Sequence, residues 1–201
     1  MKIYTFNNKV LTRNTKWLKE SEEPTPPTPS LPPYTIRMKF SDEVTPSFSS
    51  GTLTQVSSSP NIWDLTYENS NWDGLCSFNS TIIEVIDANT TGVTVISNIF
   101  NYCDQLTSVQ LFDTSTVTNM AYAFQMCSAL TSIPLFDTSN VTNMDNAFYG
   151  CYNVQTGALA LYQQASTQTT PPVDHYSTFT DCGMNTVTGA AELAQIGSNW
   201  K

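Results

Sequence analysis

The sequence predicts an α+β repeat protein, a short solenoid of 24-residue coils in which each coil is a strand plus a short helix. Two observations predict it: a near-identical decapeptide that recurs after 24 residues, and apolar ladders that step by the same period. Coils of this kind cannot bury an apolar face alone, so they fold by stacking.

The decapeptide Leu111–Met120 returns as Leu135–Met144 with nine of ten positions unchanged. Val93, Val117 and Val141 keep the same register, as do Phe100, Phe124 and Phe148, and Cys103, Cys127 and Cys151. One period earlier the pattern degrades, with Trp72 in the Met120 position and Cys76 in the Phe124 position. The period lies in the leucine-rich-repeat range, which makes the expected solenoid leucine-rich-repeat-like. Within a coil, Val117, Met120, Phe124 and Cys127 fall at offsets of one helical face, and Leu130, Ile133 and Leu135 mark a short strand. Asp113 and Asp137, or the threonines after them, are placed to cap each helix. The solenoid is expected over residues 69–157 and a C-terminal cap over 158–201, with helix-prone runs at Ala158–Gln164 and Gly189–Ile196.

Upstream, Tyr34–Phe40 alternates apolar and polar residues as a half-buried strand does. Thr52–Val56 and Ile62–Tyr67 are further strand candidates, so residues 34–68 read as a small β cap. Residues 20–33 hold six of the eleven prolines and read as a polyproline spacer. Residues 1–19 read as a β-hairpin turning at Asn7–Asn8, with a third short strand.

Charge divides the chain. Five of the eight basic residues lie in the first nineteen positions, whereas Phe40–Trp200 contains fourteen of the seventeen acids and neither Lys nor Arg. Nucleic acid is therefore not an expected partner. No run approaches the length of apolar residues that a membrane helix needs, so no membrane insertion is expected. The odd count of five cysteines speaks against a closed disulfide framework.

Four candidate chemistries arise. The Cys103, Cys127, Cys151 column is a core ladder before it is a metal or disulfide site, because one column gives no tetrahedral set. Asp113, Asp137 and Asn89 stack as caps, with a calcium ladder as the alternative. His175 lies in a proline-rich turn without a nucleophile elbow, and no cofactor motif occurs, so neither enzyme activity nor a cofactor is expected. Tyr102, Tyr122, Tyr149 and Tyr152 form either a ligand-facing ridge or the partly buried margin of the core.

The unit Phe-Asp-Thr-Ser-x-Val-Thr-Asn-Met-x-x-x-Phe-x-x-Cys-x-x-Leu-Thr-Ser-Ile-Pro, over about residues 79–157, resembles the BspA-like leucine-rich-repeat surface-protein family. The runs Gly157–Tyr162 and Gly189–Ile196, and the leading segment from Met1 to Leu18, resemble the gut-bacteriophage version. That resemblance implies adhesion or display, and for the phage version a virion protein assembled in the host cytoplasm. The chain shows no export signal, lipobox or sorting sequence, which fits that location. The expected function is thus a head or tail fibre or decoration subunit. Its arm, with Lys2, Tyr4, Phe6, Lys9, Arg13, Lys16 and Trp17, is expected to dock on other virion proteins, and the solenoid to meet a host-surface glycan or protein receptor. A homo-oligomer is expected, with a trimer favoured. The alternative is a bacterial cell-surface adhesin.

Overall fold

The computed structural model describes residues 4–6, 9–14, 17–20, 31–42 and 44–201. The chain divides into two compact units, Met1–Ser30 and Leu31–Lys201.

In the first unit, β1 (Tyr4–Phe6), β2 (Lys9–Asn14) and β3 (Trp17–Glu20) form an antiparallel sheet in chain order. Tyr4 pairs with Leu11 and Phe6 with Lys9, the register of a hairpin; Asn14 pairs with Trp17 across the second reversal. The Asn7–Asn8 turn, Lys2, Lys16 and residues 21–30 of the proline-rich segment lie outside the described residues.

The second unit is mixed α/β. Its open sheet has the order β5-β6-β4-β7-β8, from β4 (Thr35–Phe40), β5 (Thr52–Ser58), β6 (Asn61–Thr66), β7 (Ile82–Asn89) and β8 (Ser108–Val109). The alternation in β4 sends Ile36, Met38 and Phe40 into the core. Arg37 points away from them and makes a bidentate pair with its cross-strand partner Asp64, at 2.8 and 2.9 Å. That hydrogen bond raises the Arg37 pKa above its ordinary value. Leu31 and β7 bind this sheet to its surroundings. Leu31 is buried and its carbonyl accepts from Asn89 at 2.7 Å, so the end of the proline-rich segment packs on the unit. β7 pairs with β4 on one side and runs parallel to β8 on the other, Val85 opposite Val109, one period apart.

From Asn71 onward, residues one period apart form parallel bridges: Asn71 to Val95, Val95 to Asn119, and Asn119 to Asn143. The backbone here corrects one expectation. The segments expected as short helices are successions of turns, and the four apolar positions Val117, Met120, Phe124 and Cys127 are buried without a helix. Amides alternate between two kinds of partner. Those of Ile96, Asn98, Phe100 and Tyr102 donate to the carbonyls of Asn119, Ala121, Ala123 and Gln125 in the next unit, at 2.8–3.0 Å. Those between them turn back locally, Ile99 to Ile96, Asn101 to Asn98 and Cys103 to Phe100. The same alternation recurs from Met120 to Met126. A helix would direct every amide to its own segment. It would also exclude the left-handed residues that recur every fourth position, Asn98 and Tyr102, Tyr122 and Met126, Asn146 and Gly150.

The caps change accordingly. Asp113, Asp137 and Asn89 accept from the amides of Ser115, Ser139 and Thr91, two residues ahead, and close Asx turns where helix caps were expected.

The two C-terminal helices form where the apolar spacing places them, as α1 (Ala158–Thr167) and α2 (Val187–Gln195), followed by a 3-10 turn at Ser198–Trp200. Thr186 caps α2 by accepting from the Gly189 amide at 3.0 Å. Between the helices the turn ladder resumes. Met144, Asn146, Phe148 and Gly150 donate to Asp174, Tyr176, Thr178 and Thr180, so the hydrogen-bond ladder carries on into residues 174–180, with α1 inserted before them.

Candidate surface ridge and its supporting ladder

The interior of the ladder is apolar and closely stacked. Phe100 and Phe124 have ring centroids 5.5 Å apart, Phe124 and Phe148 5.3 Å, and Phe148 and Phe179 5.7 Å, the rings of the last two pairs stacked nearly parallel. The thiols of Cys103, Cys127 and Cys151 donate to the carbonyls of Cys76, Phe100 and Phe124, each at 3.1 Å. All five cysteines are free and buried. Burial pushes the thiols upward, Cys103 to about 12 and the other four well above their ordinary value. Burial holds them protonated, the opposite of the low-pKa thiolates that metal binding and nucleophilic attack require.

An outcome follows for solution. The five thiols should resist a disulfide exchange reagent in the folded chain and react fully once it is unfolded. The folded chain retains thiol protons that an unfolded thiol, at an ordinary value of 9.0, has released. The stability they contribute is therefore full below their ordinary range and is lost as pH rises above it, for Cys103 toward about 12. Urea midpoints measured between pH 7 and 10.5 should fall at the alkaline end, and replacing Cys127 with alanine should flatten that fall.

Threonines hold the outer edges of the ladder. The Thr107 hydroxyl donates to Ile83 and the Thr131 hydroxyl to Thr107, while Thr118 donates to Thr94 and Thr142 to Thr118. Such columns spend side-chain polarity on backbone carbonyls, which suits a surface poor in charge. Asp113 belongs to this edge, and its Ser115 partner holds its carboxyl below the ordinary value.

Outward from this frame run the two left-handed columns. One contains Gly74, Asn98, Tyr122, Asn146 and Ser177; the other contains Phe78, Tyr102, Met126, Gly150 and Asp181. The four tyrosines named from sequence do not form one row. Tyr102 and Tyr122 are exposed but occupy different columns, whereas Tyr149 and Tyr152 are half-buried. The Tyr152 hydroxyl reaches the Met126 sulfur at 3.9 Å, and a side chain at Gly150 would strike that sulfur, so Met126 lies over Gly150 beside Tyr152. Sequence reasoning missed Phe78, which is 70% exposed and stacks on Tyr102 at 5.1 Å with the rings only 9° from parallel. Its signal was its place one period before Tyr102. Phe78 and Tyr102 make an exposed aromatic ridge, with Met126 one period further on and the half-buried Tyr152 against Met126.

His175 is held structurally. It stacks on Trp200 at 4.3 Å, its Nδ1 meets the Pro172 carbonyl at 3.0 Å and its Nε2 meets the Asn199 amide at 3.0 Å. With Asn199 donating to Nε2, Nδ1 carries the proton and donates to Pro172. Among the described residues no three or more His, Cys, Asp or Glu side chains are grouped to hold a metal ion, and no helix is long and apolar enough to cross a membrane. Of the arm residues named from sequence, Tyr4, Phe6, Lys9, Arg13 and Trp17 lie on the strands of the first sheet.

The fold and ridge define a class, a mixed α/β protein whose surface is set by units 24 residues long. The family model described as "Mycoplasma protein of unknown function, DUF285" matches residues 66–182, more than half of the chain, and the protein belongs to that family. No curated protein and no solved structure matches the chain.

Proposed function

We propose that the chain is a non-enzymatic binding protein of the BspA-like kind, a leucine-rich-repeat-like solenoid that meets a host-surface glycan or protein. We place it on a phage virion, as a head or tail fibre or decoration subunit docked to other virion proteins through residues 1–19. The observation that carries the binding role is the ridge: aromatic side chains stand exposed on a backbone held by repeated hydrogen bonds, with neither Lys nor Arg from Phe40 to Trp200. A rigid frame that presents aromatic side chains loses little conformational entropy when a ligand is seated. The charge division supports a separate task for the basic leading segment, and the absence of Lys and Arg from Phe40 to Trp200 speaks against nucleic acid. A homo-oligomer, a trimer by preference, suits a fibre or decoration subunit.

The second reading is a bacterial cell-surface adhesin; the description of the matching family names a bacterium, Mycoplasma, and so favours a bacterial over a phage source. Fractionation separates the two. Recovery of the full chain with purified particles, and loss of that recovery on deletion of residues 1–19 with the thermal transition of the remainder intact, is the outcome expected of a virion subunit. Recovery in the cell envelope without particles supports the adhesin, and retention of the truncated chain on particles overturns docking through the arm.

A further inference from the structure

Beside the ridge lies a groove of about 490 Å³ between residues 44–49 and 74–81. Its lining includes Phe78 together with Thr45, Ser47, Ser49, Asn79 and Thr81. No lining residue carries a charge. The Asn79 carboxamide is fixed at the wall, since its Oδ1 accepts from both the amide and the hydroxyl of Thr81, at 3.0 and 2.7 Å. The Ser77 hydroxyl is likewise tied to the Gly74 carbonyl at 2.9 Å. One face of the Phe78 ring rests on Tyr102, and the residue nevertheless stays 70% exposed where it borders the groove. Phe78 is itself one of the left-handed residues, with φ of 58°, so the turn ladder fixes where its ring emerges. A large apolar side chain in that backbone region is uncommon and gains nothing for the core.

We infer that this groove is a saccharide subsite, in which the Phe78–Tyr102 stack is the platform for a sugar ring and the hydroxyl and amide groups of the wall meet its hydroxyls. The ligand class follows from the chemistry. An aromatic face is electron-rich and attracts the polarised C–H bonds that one side of a pyranose presents, while the sugar's hydroxyls need neutral donors and acceptors in the same plane. The volume is that of a small-ligand pocket. Acidic saccharides and nucleotides would need a cation, and residues Phe40–Trp200 provide no Lys or Arg. The ligand is thus an uncharged saccharide.

The inference rests on the proposed binding role and is tested separately from it. Affinity electrophoresis of the full chain through gels containing mannan, galactan, xylan, dextran or, as the acidic comparator, alginate should show retardation by at least one neutral polymer and none by alginate. Phe78→Ala and Tyr102→Ala should each weaken that retardation by about tenfold or more. Both positions are partly or largely exposed, so the thermal midpoint should stay near that of the parent; a Phe78→Trp variant, which keeps a platform, should keep retardation. Failure of every neutral polymer to retard the parent, or retardation that survives both alanine variants, overturns the subsite. Binding of the parent to host cells, measured in parallel by flow cytometry, tells the two readings apart: cell binding unaffected by Phe78→Ala sinks the subsite alone, whereas absent cell binding sinks the binding role with it.

Discussion

Replacing Phe124 with alanine is expected to lower the unfolding free energy by about 3–5 kcal/mol, the range for a buried aromatic cut back to a methyl group. Phe124 is 1% exposed and touches three other rings, with centroids 5.5 Å from Phe100, 5.3 Å from Phe148 and 5.8 Å from Phe136. The space it leaves cannot close readily. Its own amide donates to Ala147 and its own carbonyl accepts the Cys151 thiol and the Cys127 amide, so the backbone on either side is pinned to the next unit. Relaxation is what makes some large-to-small substitutions cheap, and here it is opposed from both directions. Denaturant titration of the full chain checks the value. A loss below about 1.5 kcal/mol would show that neighbouring units can slide together, and that the column is packed more loosely than its distances imply.

The second large effect is expected at Gly157. This residue adopts φ of 103° at the entrance to α1, and a Cβ built there would stand 2.1 Å from the Ile133 carbonyl oxygen and 3.0 Å from the Ile133 backbone carbon and nitrogen. Those atoms are backbone, and the Ile133 amide is itself held by the Thr156 carbonyl at 3.0 Å, beside the bridge from Ser132 to Thr156. Gly157→Ala must therefore strain the left-handed residue and break the contact between units, a combined loss of at least about 3 kcal/mol. Gly74→Ala is the matched control. Its φ of 65° is also left-handed, but an added Cβ meets only the Ser77 hydroxyl at 3.5 Å, so the loss there should be about 1 kcal/mol. Equal losses at the two positions would mean that the backbone angle alone, and not the approach of Ile133, sets the cost.

The two positions also mark where sequence was and was not sufficient. The period, the Phe and Cys columns, the strand at Tyr34–Phe40 and the C-terminal helices were legible because each rests on burial, and burial writes itself as spacing of apolar residues. The offsets of Val117, Met120, Phe124 and Cys127 specify which side chains face inward, and they do not specify the backbone that turns them there. A helix and a run of turns with every fourth residue left-handed satisfy the same spacing. The choice between them is made by hydrogen bonds to the neighbouring unit, which a single 24-residue segment cannot reveal. For the same reason the aromatic ridge was only half visible. Tyr149 and Tyr152 lie beside the Phe column in sequence but are half-buried, whereas Phe78, one period before Tyr102, gained its meaning only once the two rings were seen to stack.

The alternation of amides has a consequence for how such a chain can change over generations. Each inner unit gives half of its amides in the turn run to the carbonyls of the unit after it and accepts the same set from the unit before it. A duplicated or deleted segment of one whole period joins a donor row to an acceptor row of the same kind, whatever the side chains on its outer surface. A change of any other length within the run strands a row of donors. α1 shows where irregular insertions are tolerated, outside the run, between Gly157 and the resumption of the ladder at Asp174. Length can therefore drift in steps of a full unit, and each step adds one new outward position to each left-handed column, a place where a new aromatic side chain can be tried without touching the core.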